Sequence, residues 1–63
     1  MDASDVLVDE LDKKIEAKKV WVASGQAKDY PDYQRICGEI RGLLLAKQDI
    51  LDLKHKMEHS DDE

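Results

Sequence analysis

The chain has 63 residues, 40% of them charged, with a net charge of −5 and a single cysteine. This length allows one small domain, whose core rarely supplies more than about 3–5 kcal/mol, and one cysteine leaves no internal disulfide to reinforce it. The negative balance argues against nucleic-acid binding through phosphate contacts, and the longest apolar run, Leu43 to Ala46, is far short of the roughly 20 residues that span a bilayer. The acidic opening MDASDVLVDE is unlike the basic start of a signal peptide. A cytosolic protein stabilised by association is expected, with no nucleic-acid partner, no membrane contact and no cofactor.

Ser4 or Asp5 is the expected N-cap of a first helix. Leu7 or Val8, Leu11, Ile15 and Val22 then recur on one helical face, and Asp9 with Lys13 and Glu10 with Lys14 form acid-to-base pairs one turn apart. Gly25 is a natural terminator, which gives a helix over about residues 5–24. GQAKDYPDY reads as a short connection, with Asp29 or Tyr30 capping a second helix whose first turn tolerates Pro31. That helix runs over about 30–58 through Tyr33, Ile36, Cys37, Ile40, Leu43, Leu44, Ile50, Leu51 and Met57, with Lys47 and Lys54 snorkelling from the edges of the stripe. Residues 1–4 and 59–63 are expected to fray.

The fold class is therefore all-α, an antiparallel two-helix hairpin forming a single domain over 1–63. A turn centred near residue 27 sets Val22 opposite Tyr33, Ile15 opposite Ile40 and Val8 opposite Lys47. The second helix, about 43 Å against about 30 Å for the first, then leaves Leu51, Leu53 and Met57 overhanging. A lone hairpin keeps its apolar stripes half wet, so self-association into a helical bundle or docking on another protein is expected.

Gly38 and Gly42, one turn apart inside the second helix, each cost about 1 kcal/mol relative to alanine. On a helical wheel they lie away from the hairpin seam and, with Ala46 and Asp49, form a narrow small-residue track flanked by Leu45 and Leu53. One reading is a second contact surface that lets another helix approach closely; the other is a solvated face that tolerates a mild bend. Interaction residues expected on this basis are Gly38, Gly42, Leu45, Ala46, Leu51, Leu53 and Met57, with Trp21 as an aromatic anchor.

Other candidates are weaker. HKMEH, residues 55–59, matches the HxxEH pattern of one class of zinc protease, but neither a third ligand nor a cleft accompanies it, so His55 and His59 are read as helix-end residues and no metal or catalytic site is assigned. Cys37 is expected to be a small buried hydrophobe. Trp21, Tyr30 and Tyr33 lie near the turn, either pinning the connection or anchoring a partner. The N-terminal acids and the acidic tail meet at the open end of the hairpin beside Asp49, Asp52 and Glu58, as a solvated surface or as a docking patch for a basic protein.

Residues 24–63 carry a combined pattern: SGxAKDYxxY (Ser24, Gly25, Ala27, Lys28, Asp29, Tyr30, Tyr33), CGxIRGL (Cys37, Gly38, Ile40, Arg41, Gly42, Leu43) and an acidic end (Asp61, Asp62, Glu63). In this the chain resembles a group of very short helical proteins of tailed bacteriophages. The resemblance covers almost two-thirds of the chain and brings no catalytic residues. It implies a phage origin, a place in the host cytoplasm during infection or in the virion, and a helical accessory role in particle assembly. The expected function is thus a non-enzymatic interaction protein that binds its own copies or a phage or host protein by helix packing. The alternative is an acidic regulator that inhibits a host protein, including by nucleic-acid mimicry.

Overall fold

A computed structural model of the chain describes residues 2–59. It contains two helices, α1 (Ala3–Ala23) and α2 (Tyr30–Glu58), packed side by side as an antiparallel hairpin, with no strand among the described residues. The molecule measures 51 × 20 × 12 Å. Its thinnest dimension equals one helix diameter, so the hairpin is a single layer with both broad faces uncovered.

Helix α1 starts earlier than its sequence suggests. Asp2, not Ser4 or Asp5, is the N-cap: its carboxylate accepts the Asp5 N–H at 3.0 Å while the Asp5 carboxylate accepts the Asp2 N–H at 3.4 Å. This reciprocal capping box satisfies two of the helix's orphan donors, and it draws residues 3–4 into the helix instead of leaving them frayed. At the other end Gly25 adopts φ 78° and donates to the Val22 carbonyl, while Ser24 N–H bonds Val20. Such a left-handed terminator favours glycine because a Cβ crowds the neighbouring carbonyl there. The start of α2 agrees with expectation: Asp29 accepts the Asp32 N–H at 2.9 Å, and Pro31 sits in the first turn, where an amide donor is not needed. The expected fraying of Met1 and of residues 60–63 falls outside the described residues.

The seam follows a heptad rhythm. On α1 it runs through Val8, Leu11, Ile15, Lys18 and Val22, and on α2 through Ile36, Ile40, Leu43, Lys47, Ile50 and Lys54, with spacings alternating between three and four. Among the described residues only Ile15, at 3% exposure, and Ile36, at 6%, are buried. The rest of the seam is half-buried, and three of its eleven positions are lysines.

Each seam lysine meets an acid from the opposite helix. Lys18 Nζ lies 2.6 Å from Glu39 Oε1, Lys47 Nζ 2.7 Å from Asp12 Oδ1, and Lys54 Nζ 2.5 Å from Asp5 Oδ1 and 3.8 Å from Asp2 Oδ2. The register is not the one expected from a turn centred on residue 27: Asp12, rather than Val8, stands opposite Lys47. This displacement of about one turn, together with the early start of α1, removes the expected overhang. Asp2 and Ser4 line one small pocket with Lys54, Met57 and Glu58, so α1 accompanies α2 almost to its end.

Candidate interaction surfaces

At 3.6 residues per turn, the side chains flanking the seam fall on two opposite faces of the layer. The Lys18–Glu39 pair closes one side of the seam and the Lys47–Asp12 and Lys54–Asp5 pairs close the other. These pairs orient the faces.

The first face carries an open groove of about 650 Å³ lined by Lys14, Ala17, Lys18, Glu39, Gly42 and Leu43. A second depression continues it past Trp21, Arg35 and Ile36. A polar chain borders the groove: Asp32 accepts from Lys28 N–H at 3.1 Å and from Arg35 at 2.8 Å, Arg35 reaches Glu39 at 2.6 Å, and Glu39 accepts from Lys18. Hydrogen bonds from Arg35 hold the Asp32 carboxyl below its ordinary pKa, and hydrogen bonds from Lys18 do the same for Glu39; Arg35 is raised in turn, mainly by Asp32. At the open end, the Lys54 hydrogen bond depresses Asp5 and raises Lys54.

The expected interaction residues do not converge. Gly42 lines the groove and Trp21 lies at its turn end, with Ala46, Leu53 and Met57 on the same side of the α2 wheel. Gly38 and Leu45 project from the back of α2, and Leu51 lies on the opposite face. A Cβ added at Gly38 or Gly42 meets nothing within 4 Å. Packing within the hairpin therefore does not require either glycine.

The second face presents an apolar column that the helical stripe hinted at but did not separate from the seam. Cys37, Leu44 and Leu51 stand exactly two turns apart in heptad terms, at seven-residue spacing, with Tyr30 at the head of the same column and Tyr33 beside it; all are exposed. Cys37 is thus not the buried hydrophobe its sequence suggests, because the ladder Ile36, Ile40, Leu43 takes the seam and turns Cys37 outward. The neighbouring Cys37 thiol pushes the Tyr33 pKa up. Tyr30 and Tyr33 stack with ring centroids 6.2 Å apart, while Trp21 lines the other face, so the three aromatics do not form one cluster at the turn. The signal for this column was a third apolar position per heptad on α2, beside the two that make the seam.

The remaining candidates resolve more simply. Lys13 takes both Asp9, at 3.2 Å, and Glu10, at 3.6 Å, leaving Lys14 to line the groove. The N-terminal acids Asp2, Asp5 and Asp12 are engaged by Lys54 and Lys47, and Asp52 accepts from Gln48 at 2.9 Å. The rings of His55 and His59 lie 4.4 Å apart at the end of α2, and no group of three metal-binding side chains forms among the described residues. No helix among those residues is long and apolar enough to cross a membrane.

No protein-family model, curated protein or solved structure matches the chain.

Proposed function

We propose that this chain is a non-enzymatic helical interaction protein, encoded by a phage and acting as an accessory in particle assembly through helix–helix packing. The observation that carries the reading is the thinness of the fold. Two buried side chains support a layer one helix thick, while Leu7, Leu44, Leu45, Leu51, Leu53 and other large apolar residues stand exposed. Such a surface is typical of an element that completes its core against another helix. The charge supports it less directly: Asp2, Asp5 and Asp12, three of the acids that an inhibitor mimicking nucleic acid would display at the open end, are engaged by lysines of this chain.

The test is quantitative mass spectrometry of particles and assembly intermediates purified from cells producing the phage. A constant copy number per particle or intermediate is the expected result. Absence from both, together with a host-protein complex that dissociates as salt rises, overturns the assembly reading in favour of the acidic regulator, because exposed charge contacts are screened within about 8 Å at physiological ionic strength whereas apolar packing is not.

A further inference from the structure

The apolar column on the second face lacks a cover within the hairpin. Resting on the reading of this chain as an interaction protein, we propose that the occupant of that face is a second copy of the chain, in a closed antiparallel four-helix bundle with the two α2 helices in contact through Cys37, Leu44 and Leu51.

Area makes the case for a partner of this size. A folded monomer of 7.2 kDa exposes about 4,100 Å². This chain exposes 5015 Å², about 900 Å² more, close to the roughly 800 Å² that each partner contributes to a stable interface. Burying one broad face brings the surface to the value expected of a self-sufficient fold.

Symmetry sets the orientation. Helix α2 runs from Tyr30 to Glu58, and its midpoint is Leu44, which is also midway between Cys37 and Leu51. A two-fold axis at Leu44 therefore overlaps two α2 helices along their whole length and packs Cys37 of each copy against Leu51 of the other. Antiparallel pairing also keeps both α1 helices on the same side of the α2 pair, so that they meet and the bundle closes. A parallel pair places them on opposite sides and leaves both exposed.

Across the α2 pair, charge is compatible with the antiparallel arrangement. Beside the column, Arg41 comes opposite Gln48 and Gln34 opposite His55, so no like charges face each other across the α2 pair. Since Lys47 pairs with Asp12, the same axis crosses α1 near Ile15. Asp12 and Lys19 lie on either side of that point along the face-lining edge of α1, which brings Asp12 of each copy toward Lys19 of the other, while Glu16, between them, comes beside its own copy at the axis as part of the polar rim.

The full chain is examined by sedimentation equilibrium across micromolar concentrations, alongside Leu44→Asp and, as a control on the other face, Gly42→Leu. The expected mass is twice 7.2 kDa for the wild type and for Gly42→Leu, and 7.2 kDa for Leu44→Asp. Since Leu44 is 46% exposed in the single hairpin, its substitution leaves the seam intact. A second measurement does not depend on any variant's folding: spin labels on Cys37 are expected about 20–25 Å apart in the wild-type dimer, from seven residues on either side of the axis at 1.5 Å each plus the interhelical distance. A monomeric wild type overturns the proposed partner while leaving the assembly reading to a heterologous one. A dimer that survives Leu44→Asp, or that yields a Cys37–Cys37 disulfide on mild oxidation, overturns the proposed face or its orientation, since a disulfide requires Cα atoms within about 7 Å.

Discussion

Gly38→Ala and Gly42→Ala should each stabilise the protein. Both glycines lie inside a continuous α-helix, neither has a positive φ, and an added Cβ meets open space at both positions. Nothing in the hairpin opposes the gain, which comes from the smaller conformational freedom that alanine loses on folding, about 0.5–1 kcal/mol per site. The two sites are separated by one turn and share no partner, so the double variant should gain about 1–2 kcal/mol. At an unfolding entropy of about 2.1 cal/mol/K per residue, a chain of this length shifts its melting temperature by about 8 °C per kcal/mol, which places the double variant about 8–15 °C above the wild type. The assay is thermal unfolding followed by circular dichroism at 222 nm, with both proteins at the same chain concentration because association moves the midpoint. An unchanged or lowered midpoint refutes the reasoning. It would mean that the glycine face is in contact with another chain, since close approach of a neighbour is the one circumstance in which a methyl group there costs more than it contributes.

Three further outcomes follow from the same structure. Ile36→Ala removes one of the two buried side chains among the described residues, and a loss of about 2–5 kcal/mol, typical of such truncations, is comparable with the whole stability of a core this small; helical ellipticity at 25 °C should largely disappear. Gly25→Ala forces a Cβ into φ 78° and should cost about 1–2 kcal/mol, read as a lowered urea midpoint with an unchanged slope, whereas Gly25→Asn should recover part of the loss. The depressed carboxylates Asp5, Asp32 and Glu39 stabilise the fold fully above their ordinary values of 3.8 and 4.5, and that contribution is lost as pH falls through their lower folded values. Melting temperature should accordingly hold steady from about pH 5.5 to 8 and fall below about pH 4, with a shallower acid limb in Glu39→Gln. Raised Lys54 acts in the opposite window: its contribution is complete below 10.5 and is lost as pH rises beyond that.

The hairpin itself was legible because local signals agree. Gly25 and Asp29 mark the turn, Pro31 is compatible only with the first turn of α2, and the apolar spacing on both helices is helical throughout. The register was not legible from apolar positions alone. Aliphatic residues in a heptad pack about equally well when slid by one turn, and the choice between those arrangements lies with Lys18, Lys47 and Lys54, whose acids can be matched only once the opposite helix is in place. The start of α1 was misplaced for a related reason: Asp2, Ser4 and Asp5 are all good N-caps, and the choice of Asp2 depends on Asp5 being free to accept its N–H while also meeting Lys54. The wheel located Gly38 and Gly42 away from the seam correctly. It did not distinguish the two leucine populations, because Leu44 and Leu51 belong to a third column that follows the seam closely enough to be read as part of it.

The seam lysines and the exposed column are linked. Lysines at three seam positions weaken hydrophobic packing between α1 and α2, yet their matched acids make one alignment preferable to those a turn away, in the way that single polar core residues select register in coiled coils. That alignment determines which α1 residues border each face. Were α1 displaced by one turn along α2, Asp12 would leave Lys47, and the edge beside Leu44 would present a different order of charge. The register of the hairpin thus shapes the rim of the surface proposed to receive a second copy, and the stability forgone inside the hairpin leaves such a second layer as the main source of apolar burial still open to the fold. A charge reversal at Lys47 should therefore act at a distance: the Lys47→Glu variant should loosen the alignment of α1 and weaken association through Leu44, although residue 47 is half-buried within the hairpin. Asp12→Lys, combined with it, should restore both, as measured by sedimentation equilibrium and by urea unfolding of the same samples. Restored stability without restored association would separate the two effects and remove the link between register and rim.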